Sequence, residues 1–172
     1  MNSAHTQHHT ISLIGMPGVG KSTVGVILAK LIGLEFADTD LAIQAREQRT
    51  LQEILEADGH LALRRIEEEV LLEVPIENRV LATGGSVVYS EKIMRRLCAA
   101  GPVVFLKADI ATLQTRVANN PQRGIASDAG QSFEDIFAER VPLYRRYATH
   151  TVIATGGNAD AIAAMVVQCL HA

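Results

Sequence analysis

The sequence Gly-Met-Pro-Gly-Val-Gly-Lys-Ser-Thr at residues 15–23 fits the phosphate-loop pattern G-x-x-x-x-G-K-[ST]. An apolar run at residues 11–14 precedes it, and a segment with helical character at residues 24–32 follows it. A glycine-rich turn lets backbone N–H groups approach phosphate oxygens because no Cβ stands in the way. The pattern also occurs by chance in turns that bind nothing, but the strand before it and the helix after it favour a nucleoside triphosphate site.

The residue types in this loop each suit a triphosphate. The N-terminal amides and the dipole of the following helix attract an anion, Lys21 can reach the outer phosphates, and the Ser22 hydroxyl can ligate Mg²⁺. The loop residues that we predict to contact the nucleotide are Gly15, Pro17, Gly18, Val19, Gly20, Lys21, Ser22 and Thr23.

Composition limits the class of protein. The chain has 172 residues, of which 48% are apolar, and this is enough for one domain with a sizeable core. The formal net charge is -3 and no basic block is present, which argues against nucleic acid as a partner. No apolar run approaches the roughly twenty residues needed to span a bilayer. We therefore expect a cytosolic, monomeric protein that binds a small molecule and no membrane.

Apolar runs rich in Val and Ile alternate with helical patterns along the chain. The predicted strands are residues 11–14, 34–37, 80–83, 103–106 and 151–154. The predicted helices are residues 21–32, 61–73, 90–99, 110–118, 132–146 and 159–170. This alternation predicts an α/β fold, in which a parallel sheet is covered by helices on both faces within a single domain at residues 1–172.

Two segments do not belong to the simple alternation. Residues 39–75 are helical, charged and longer than one crossover requires, so we predict a cap beside the phosphate loop that binds an acceptor. Residues 119–131 carry Pro121, Gly124 and Gly130 among polar residues, a composition typical of an irregular loop. That loop could be a lid over the site or a merely solvated connection.

Two carboxylates at the end of the predicted second strand are candidates for phosphoryl-transfer chemistry. Asp38 and Asp40 stand at a C-terminal strand end, which is where ligands gather in open parallel sheets. One of them could help to hold the water shell of Mg²⁺ while the other faces an acceptor hydroxyl. The alternative is that they only cap the following helix.

Further candidates follow along the chain. Arg64 and Glu67 share one helix face at i, i+3 spacing, so Glu67 could hold Arg64 in position. Gly84 and Gly85 end the third strand and would let a ligand approach the backbone closely, unless they form a plain turn. Guanidinium groups clamp carboxylates and phosphates, but spacing alone does not rank the remaining candidates. These are Arg116, Arg123, Arg140, Arg145 and Arg146.

Five elements of the chain, in this order, resemble the shikimate kinase family. They are the phosphate loop, Phe36-Ala37-Asp38-Thr39-Asp40, Arg64-Arg65-Ile66-Glu67-Glu68, Ala82-Thr83-Gly84-Gly85 and Arg140-Val141-Pro142-Leu143-Tyr144. The resemblance implies a P-loop NTPase fold of the nucleoside-monophosphate-kinase-like type, with a five-stranded parallel sheet, a helical substrate-binding cap and a lid loop. It also implies ATP-dependent phosphorylation of a hydroxyl of shikimate, with ATP and Mg²⁺ as cofactors.

The resemblance implies roles for individual residues. Catalytic roles fall on Lys21, Asp40 and Arg123, of which Asp40 is the favoured base and Arg123 the lid arginine. Metal contacts fall on Ser22 and Asp38, and contacts with the adenine region on Arg116 and Asn158. The implied acceptor contacts are Asp40, Arg64, Gly84, Gly85 and Arg140.

Three elements of the chain depart from the family's usual sequence. Ser86 stands in place of a third glycine, Leu63 replaces an aromatic residue, and the lid motif Arg-Pro-Leu-Leu is here Arg123-Gly124-Ile125-Ala126. Because the serine adds a side chain beside the acceptor, another anionic polyol such as gluconate is an alternative acceptor. A nucleotide-binding regulator that has lost transfer is a second alternative, although the intact Lys21 argues against it.

Overall fold

The computed structural model describes residues 10–120 and 125–172 and confirms the predicted α/β architecture. Within these residues, five parallel strands form one sheet in the order β2-β3-β1-β4-β5. The strands are β1 (Ile11–Ile14), β2 (Glu35–Asp38), β3 (Arg79–Ala82), β4 (Val103–Lys107) and β5 (His150–Ile153). Each boundary lies within one residue of the predicted one. The three central strands are apolar and largely buried, as expected for a parallel sheet, whereas the edge strands β2 and β5 are more exposed.

Helices connect the strands and cover both faces of the sheet. They are α1 (Lys21–Ile32), α2 (Thr39–Glu47), α3 (Leu51–Asp58), α4 (His60–Glu73), α5 (Glu91–Ala100), α6 (Ile110–Ala118), α7 (Phe133–Tyr147) and α8 (Ala159–Leu170). The crossover through α1 leads from β1 toward the β2 edge of the sheet. The crossover through α5 and the one through α6 and α7 lead in the opposite direction, toward the β5 edge. Since such crossovers are right-handed, α1 lies on the face opposite to α5, α6 and α7. The last helix, α8, packs beside α1.

The position of β1 determines where the phosphate loop lies. Leu13 of this central strand pairs with Ala82 of β3 on one side and with Val104 of β4 on the other. On the far side of β3, Asp38 of β2 pairs with Ala82. The C-terminal ends of β1, β2 and β3 therefore meet, and the loops that leave them converge on one place. No helix in the described ranges is long and apolar enough to cross a bilayer.

The segment predicted as a helical cap consists of three helices, α2, α3 and α4. Thr50 begins α3 with a capping box, in which its hydroxyl accepts from the Glu53 amide and the Glu53 carboxylate accepts from the Thr50 amide. Gly59, with φ of 83°, separates α3 from α4. The segment has a small apolar cluster of its own, distinct from the main core. Its buried members are Ile43, Ile54, Leu63, Val70 and, from the loop before α7, Ala126.

Candidate active site

The backbone of the phosphate loop explains its glycines. Gly15, Gly18 and Gly20 have φ of 148°, 85° and 100°, a region that residues with side chains rarely adopt. A Cβ on Gly15 would also lie 2.6 Å from the Leu106 carbonyl oxygen. Gly20 is the N-cap of α1 and supplies no side chain to bond the first-turn amides, whereas α2, α3, α5, α6, α7 and α8 all have such a cap. The N–H groups that begin α1 are thus left for an anion.

Lys21 is held inside this loop. The side chain is only 1% exposed, and its Nζ donates hydrogen bonds to the carbonyl oxygens of Gly15 at 2.7 Å and Met16 at 3.0 Å. A buried ammonium is costly unless it is bonded, so these contacts fix its position. The positive charge therefore lies against the turn whose amides face an anion.

Ser22 and Asp38 lie side by side between the loop and β2. The Ser22 hydroxyl donates to Oδ2 of Asp38 at 2.5 Å, while Oδ1 of Asp38 accepts from the amides of Asp40 at 2.9 Å and Leu41 at 3.4 Å. Asp38 is thus both the helix cap and a neighbour of the phosphate loop, so the two interpretations of the carboxylates are compatible.

These two side chains suit a magnesium ion that is bound mainly through phosphates. In the part of the chain that the structure describes, no group of three or more His, Cys, Asp or Glu side chains could hold a metal. Mg²⁺ keeps several waters and commonly takes one or two protein oxygens together with substrate phosphates. One hydroxyl and one carboxylate are therefore a donor set that fits this ion.

A central cavity lies beside the phosphate loop, between the ends of β1 and β3, the cap and α7. Asp40 and Glu67 face it from the cap, Gly84 and Gly85 from the turn after β3, and Arg140 from α7. The other lining residues are Pro17, Ile43, Leu51, Leu63, Ser86, Ile125 and Ala126. The cavity thus combines two carboxylates and a guanidinium with an apolar wall.

Two arginines from different helices converge on one oxygen atom at this cavity. Arg140 is 1% exposed and its Nη2 donates to the Ala126 carbonyl oxygen, which also accepts from Nη2 of Arg64 at 3.4 Å. Tyr89 supports both, because the Arg64 guanidinium lies 3.9 Å from its ring centroid and Arg140 Nε donates to its hydroxyl at 3.3 Å. The pair forms a positively charged fork of the kind that binds carboxylates.

Glu67 is buried, and its two oxygens have different surroundings. The Ser86 hydroxyl donates to Oε2, whereas Oε1 has no hydrogen-bond partner among the described residues. We expected Glu67 to pair with Arg64, and this partner was wrong. The hydrogen bond to this carboxylate comes from Ser86, which lies in the turn after β3. Burial raises the Glu67 pKa to about 7; the Ser86 hydrogen bond opposes the rise, the Asp40 carboxylate adds to it, and Arg140 and Arg64 oppose it.

The raised pKa of Glu67 predicts a specific pH dependence of stability. The folded-state pKa of about 7 exceeds the ordinary glutamate pKa of 4.5, so Glu67 contributes stability that is present below pH 4.5 and is lost as pH rises through 7. Between pH 4.5 and 8, the free energy of unfolding of the wild type should therefore fall by about 3 kcal/mol more than that of Glu67→Gln. Urea unfolding of the wild type and the variant at several pH values measures it.

Glu68→Gln is the matched control, because Glu68 is the next residue on α4 and lies more openly at the surface. We expect its unfolding free energy to follow the wild-type pH profile. Parallel profiles for the wild type and Glu67→Gln would contradict a raised pKa at Glu67.

The two glycines after β3 leave no room for side chains. A Cβ on Gly84 would lie 2.3 Å from Glu67 Oε1, and a Cβ on Gly85 would lie 2.9 Å from Pro17 Cδ and 3.0 Å from Arg140 Nη1. Such distances are below normal contact, so the predicted close approach of other groups to this backbone has a steric basis. The turn is held from outside the cavity by the Tyr144 hydroxyl, which donates to the Gly85 carbonyl oxygen at 2.5 Å.

The residues predicted near the adenine lie on the other side of the phosphate loop. Arg116 donates to the carbonyl oxygens of Val19 at 3.2 Å and Ala154 at 3.4 Å, so it joins α6 to the loop and to the segment after β5. Asn158 caps α8 by accepting from the Ala161 amide at 2.8 Å. The predicted lid arginine, Arg123, lies outside the described residues.

Sequence reasoning missed the groups that support the charged residues. These are Tyr89, Tyr144, the Ala126 carbonyl and the hydroxyl of Ser86. Two of them had a readable signal: Ser86 stands where the family usually has a glycine, and Tyr144 follows Arg140 by four residues and therefore shares its face of α7.

Comparison with known proteins agrees with this geometry. The sequence model of the family described as "Shikimate kinase" matches residues 17–171. The shikimate kinase of Mycobacterium avium is 40% identical over 163 residues, covering 93% of this chain and 92% of the relative, and that of Halorhodospira halophila is 37% identical over 164 residues, covering 94% and 93%. The structure of shikimate kinase from Acinetobacter baumannii in complex with shikimate has a TM-score of 0.87 at 30% identity and covers 99% of this chain and 97% of that one. With so nearly complete a match in sequence and in fold, this chain belongs to the shikimate kinase family.

Proposed function

We propose that the protein transfers the γ-phosphoryl group of ATP to a hydroxyl of shikimate and produces shikimate 3-phosphate. Membership of the family supports this reaction, and so does the complex of the Acinetobacter baumannii enzyme with shikimate. The observation in this chain that carries the proposal is the central cavity, where the Asp40 carboxylate and the Arg140 guanidinium face a small space beside the phosphate loop, and where Arg64 meets Arg140 at the carbonyl of the lining residue Ala126. An acceptor with both hydroxyls and a carboxylate matches these groups.

The arginine fork would hold the acceptor carboxylate. Arg64 and Arg140 already share one oxygen, the carbonyl of Ala126, and a carboxylate would provide two oxygens with a full negative charge. Gly84 and Gly85 would let the ring approach the backbone, since side chains at either position would collide with neighbouring groups. With its carboxylate fixed at one end, the acceptor would present a hydroxyl to Asp40.

The transfer step would proceed between Asp40 and the phosphate loop. Asp40 accepts the proton of the acceptor hydroxyl, the alkoxide oxygen bonds to the γ-phosphorus, and ADP leaves. Lys21, with Arg123 from the lid, stabilises charge on the transferring group. Mg²⁺, held through Ser22 and Asp38, would neutralise the phosphate oxygens when bound.

The remaining assignments belong to the same proposal. Arg116 and the segment that ends at Asn158 would border the adenine, and the cap at residues 39–75 and the lid at residues 119–131 would close over the acceptor within a single domain. The protein would act in the cytosol as a monomer. Among the described residues, the large exposed apolar side chains are spread over α1, α2, α4 and β5, which supports the monomer. Light scattering of the purified protein tests the monomer.

A steady-state assay with ATP, Mg²⁺ and either shikimate or gluconate tests the proposed reaction. We expect ADP formation that depends on shikimate, with NMR of the product placing the phosphate on the 3-hydroxyl. Turnover with gluconate alone would move the protein to another acceptor, and ATP binding without transfer to either acid would make it a regulator.

A further inference from the structure

Ser86 brings a hydroxyl into a part of the cavity that is otherwise built from glycine backbone. It follows Gly84 and Gly85 directly and precedes a short 3₁₀ turn at Val87–Tyr89. The side chain is 7% exposed, and its Oγ donates to Oε2 of Glu67 across a separation of 19 residues. The bond joins the turn after β3 to the middle of α4, so it fixes the carboxylate relative to the cavity wall.

Glu67 lines the central cavity, and its other oxygen lies against Gly84 of the cavity wall. The ideal Cβ position of Gly84 lies 2.3 Å from Glu67 Oε1 and 3.1 Å from Asp40 Oδ1, so both carboxylates approach one point on the cavity wall. Oε1 is buried and without a hydrogen-bond partner among the described residues. Leaving such an acceptor unpaired costs about 1–3 kcal/mol, so a donor from the ligand would be bound favourably there.

The Glu67 carboxylate has three charged neighbours. Arg64 is on the same helix at the spacing that favours an ion pair, and Arg140 and Asp40 are its other charged neighbours. Oε2 accepts from Ser86, while the Arg64 guanidinium lies over the Tyr89 ring and reaches the Ala126 carbonyl. Ser86 is therefore the described side chain that donates to this carboxylate and orients it.

We propose that Ser86 is a positioning residue for acceptor recognition: its hydroxyl holds Glu67 so that Oε1 accepts a hydrogen bond from the acceptor hydroxyl next to the one that Asp40 contacts. This inference rests on the proposed function. It assigns two neighbouring carboxylates to two neighbouring hydroxyls, with Asp40 at the reacting one and Glu67 at the adjacent one. The acceptor is then recognised as a diol with a carboxylate at its other end.

Two variants remove the Ser86 hydroxyl. Ser86→Ala keeps the Cβ atom, whereas Ser86→Gly removes it as well. For both, we expect the KM for shikimate to rise about tenfold, with kcat and the KM for ATP changed less than about twofold, because one hydrogen bond to a charged group is lost outside the reacting centre. A tenfold effect in Ser86→Gly alone would indicate backbone flexibility and overturn the proposal, as would an unchanged KM in both variants.

An acceptor analogue separates positioning from a general structural role. A shikimate analogue without the hydroxyl adjacent to the phosphorylated one should lower kcat/KM about 30-fold in the wild type but only about threefold in Ser86→Ala. Equal losses in the two proteins would overturn the assignment. Ser90→Ala is the matched control, since the Ser90 hydroxyl donates to Glu68 at 2.5 Å outside the central cavity.

The two proposals fail in different ways in this experiment. Absence of turnover by the wild type with shikimate contradicts the proposed function, whereas normal wild-type turnover with no Ser86 effect contradicts only the role of this serine. Calorimetric titration of each protein with shikimate repeats the comparison as a change in Kd, which does not depend on the chemical step.

Discussion

Lys21→Met is expected to lower kcat about a thousandfold while the protein stays folded. The ammonium is 1% exposed and bonded to the carbonyl oxygens of Gly15 and Met16, so it is held in place before the nucleotide arrives. A fixed charge in a site shielded from water stabilises a transferring phosphoryl group without reorganisation, and neutral methionine cannot replace it. Methionine keeps most of the aliphatic stem, so the packing at the start of α1 should survive.

The measurement is a coupled assay at saturating ATP and shikimate, together with thermal unfolding of each variant. Lys30→Met is the matched control, because Lys30 is an exposed lysine in the last turn of the same helix. We expect its kcat to equal that of the wild type. A kcat for Lys21→Met within about tenfold of the wild type would contradict the role of Lys21 in transfer, and loss of the folded state would show that its bonds to the loop are structural instead.

Most of the fold could be predicted because its signals are local. The runs of the central strands β1, β3 and β4 are apolar and buried, as expected for a sheet covered on both faces, and the phosphate loop marks the junction between β1 and α1. The sequence also contains signals for the division of the cap into three helices, namely the Thr50–Glu53 capping box and Gly59. This division was missed because the charged helical pattern on either side of these signals is nearly continuous.

The arrangement within the site depends on contacts between distant parts of the chain. Helix spacing suggests that Glu67 pairs with Arg64, but it cannot show that β3 delivers the Ser86 hydroxyl to the same carboxylate. Likewise, Arg64 donates a hydrogen bond to the carbonyl oxygen of Ala126, which lies 62 residues further along the chain. The candidate side chains were thus identifiable by type and by resemblance, whereas their partners follow from the strand order and from the path of the loop before α7.

Asp40→Asn should lower kcat by about three orders of magnitude and leave the KM for shikimate within a few-fold of the wild-type value. Asparagine keeps the shape and one acceptor oxygen of the side chain but cannot take a proton. The backbone should be unaffected, since the Asp40 amide is bonded to Asp38 Oδ1 at 2.9 Å. Removal of the carboxylate should also lower the Glu67 pKa, because Asp40 is the charged neighbour that adds to the rise caused by burial.

Asp58→Asn is the control for this change. Asp58 belongs to the helical cap at residues 39–75 and lies at the surface, where its carboxylate pairs with Arg49 at 2.8 Å. Glu67→Gln, assayed in parallel, decides which of the two cavity carboxylates receives the proton. If Asp40 is the base, Glu67→Gln should act mainly on the KM for shikimate, because its Oε1 would bind the adjacent hydroxyl. A larger loss of kcat in Glu67→Gln than in Asp40→Asn would reverse the two roles, since the oxygen that lies 2.3 Å from the Gly84 Cβ position would then be the one facing the reacting hydroxyl.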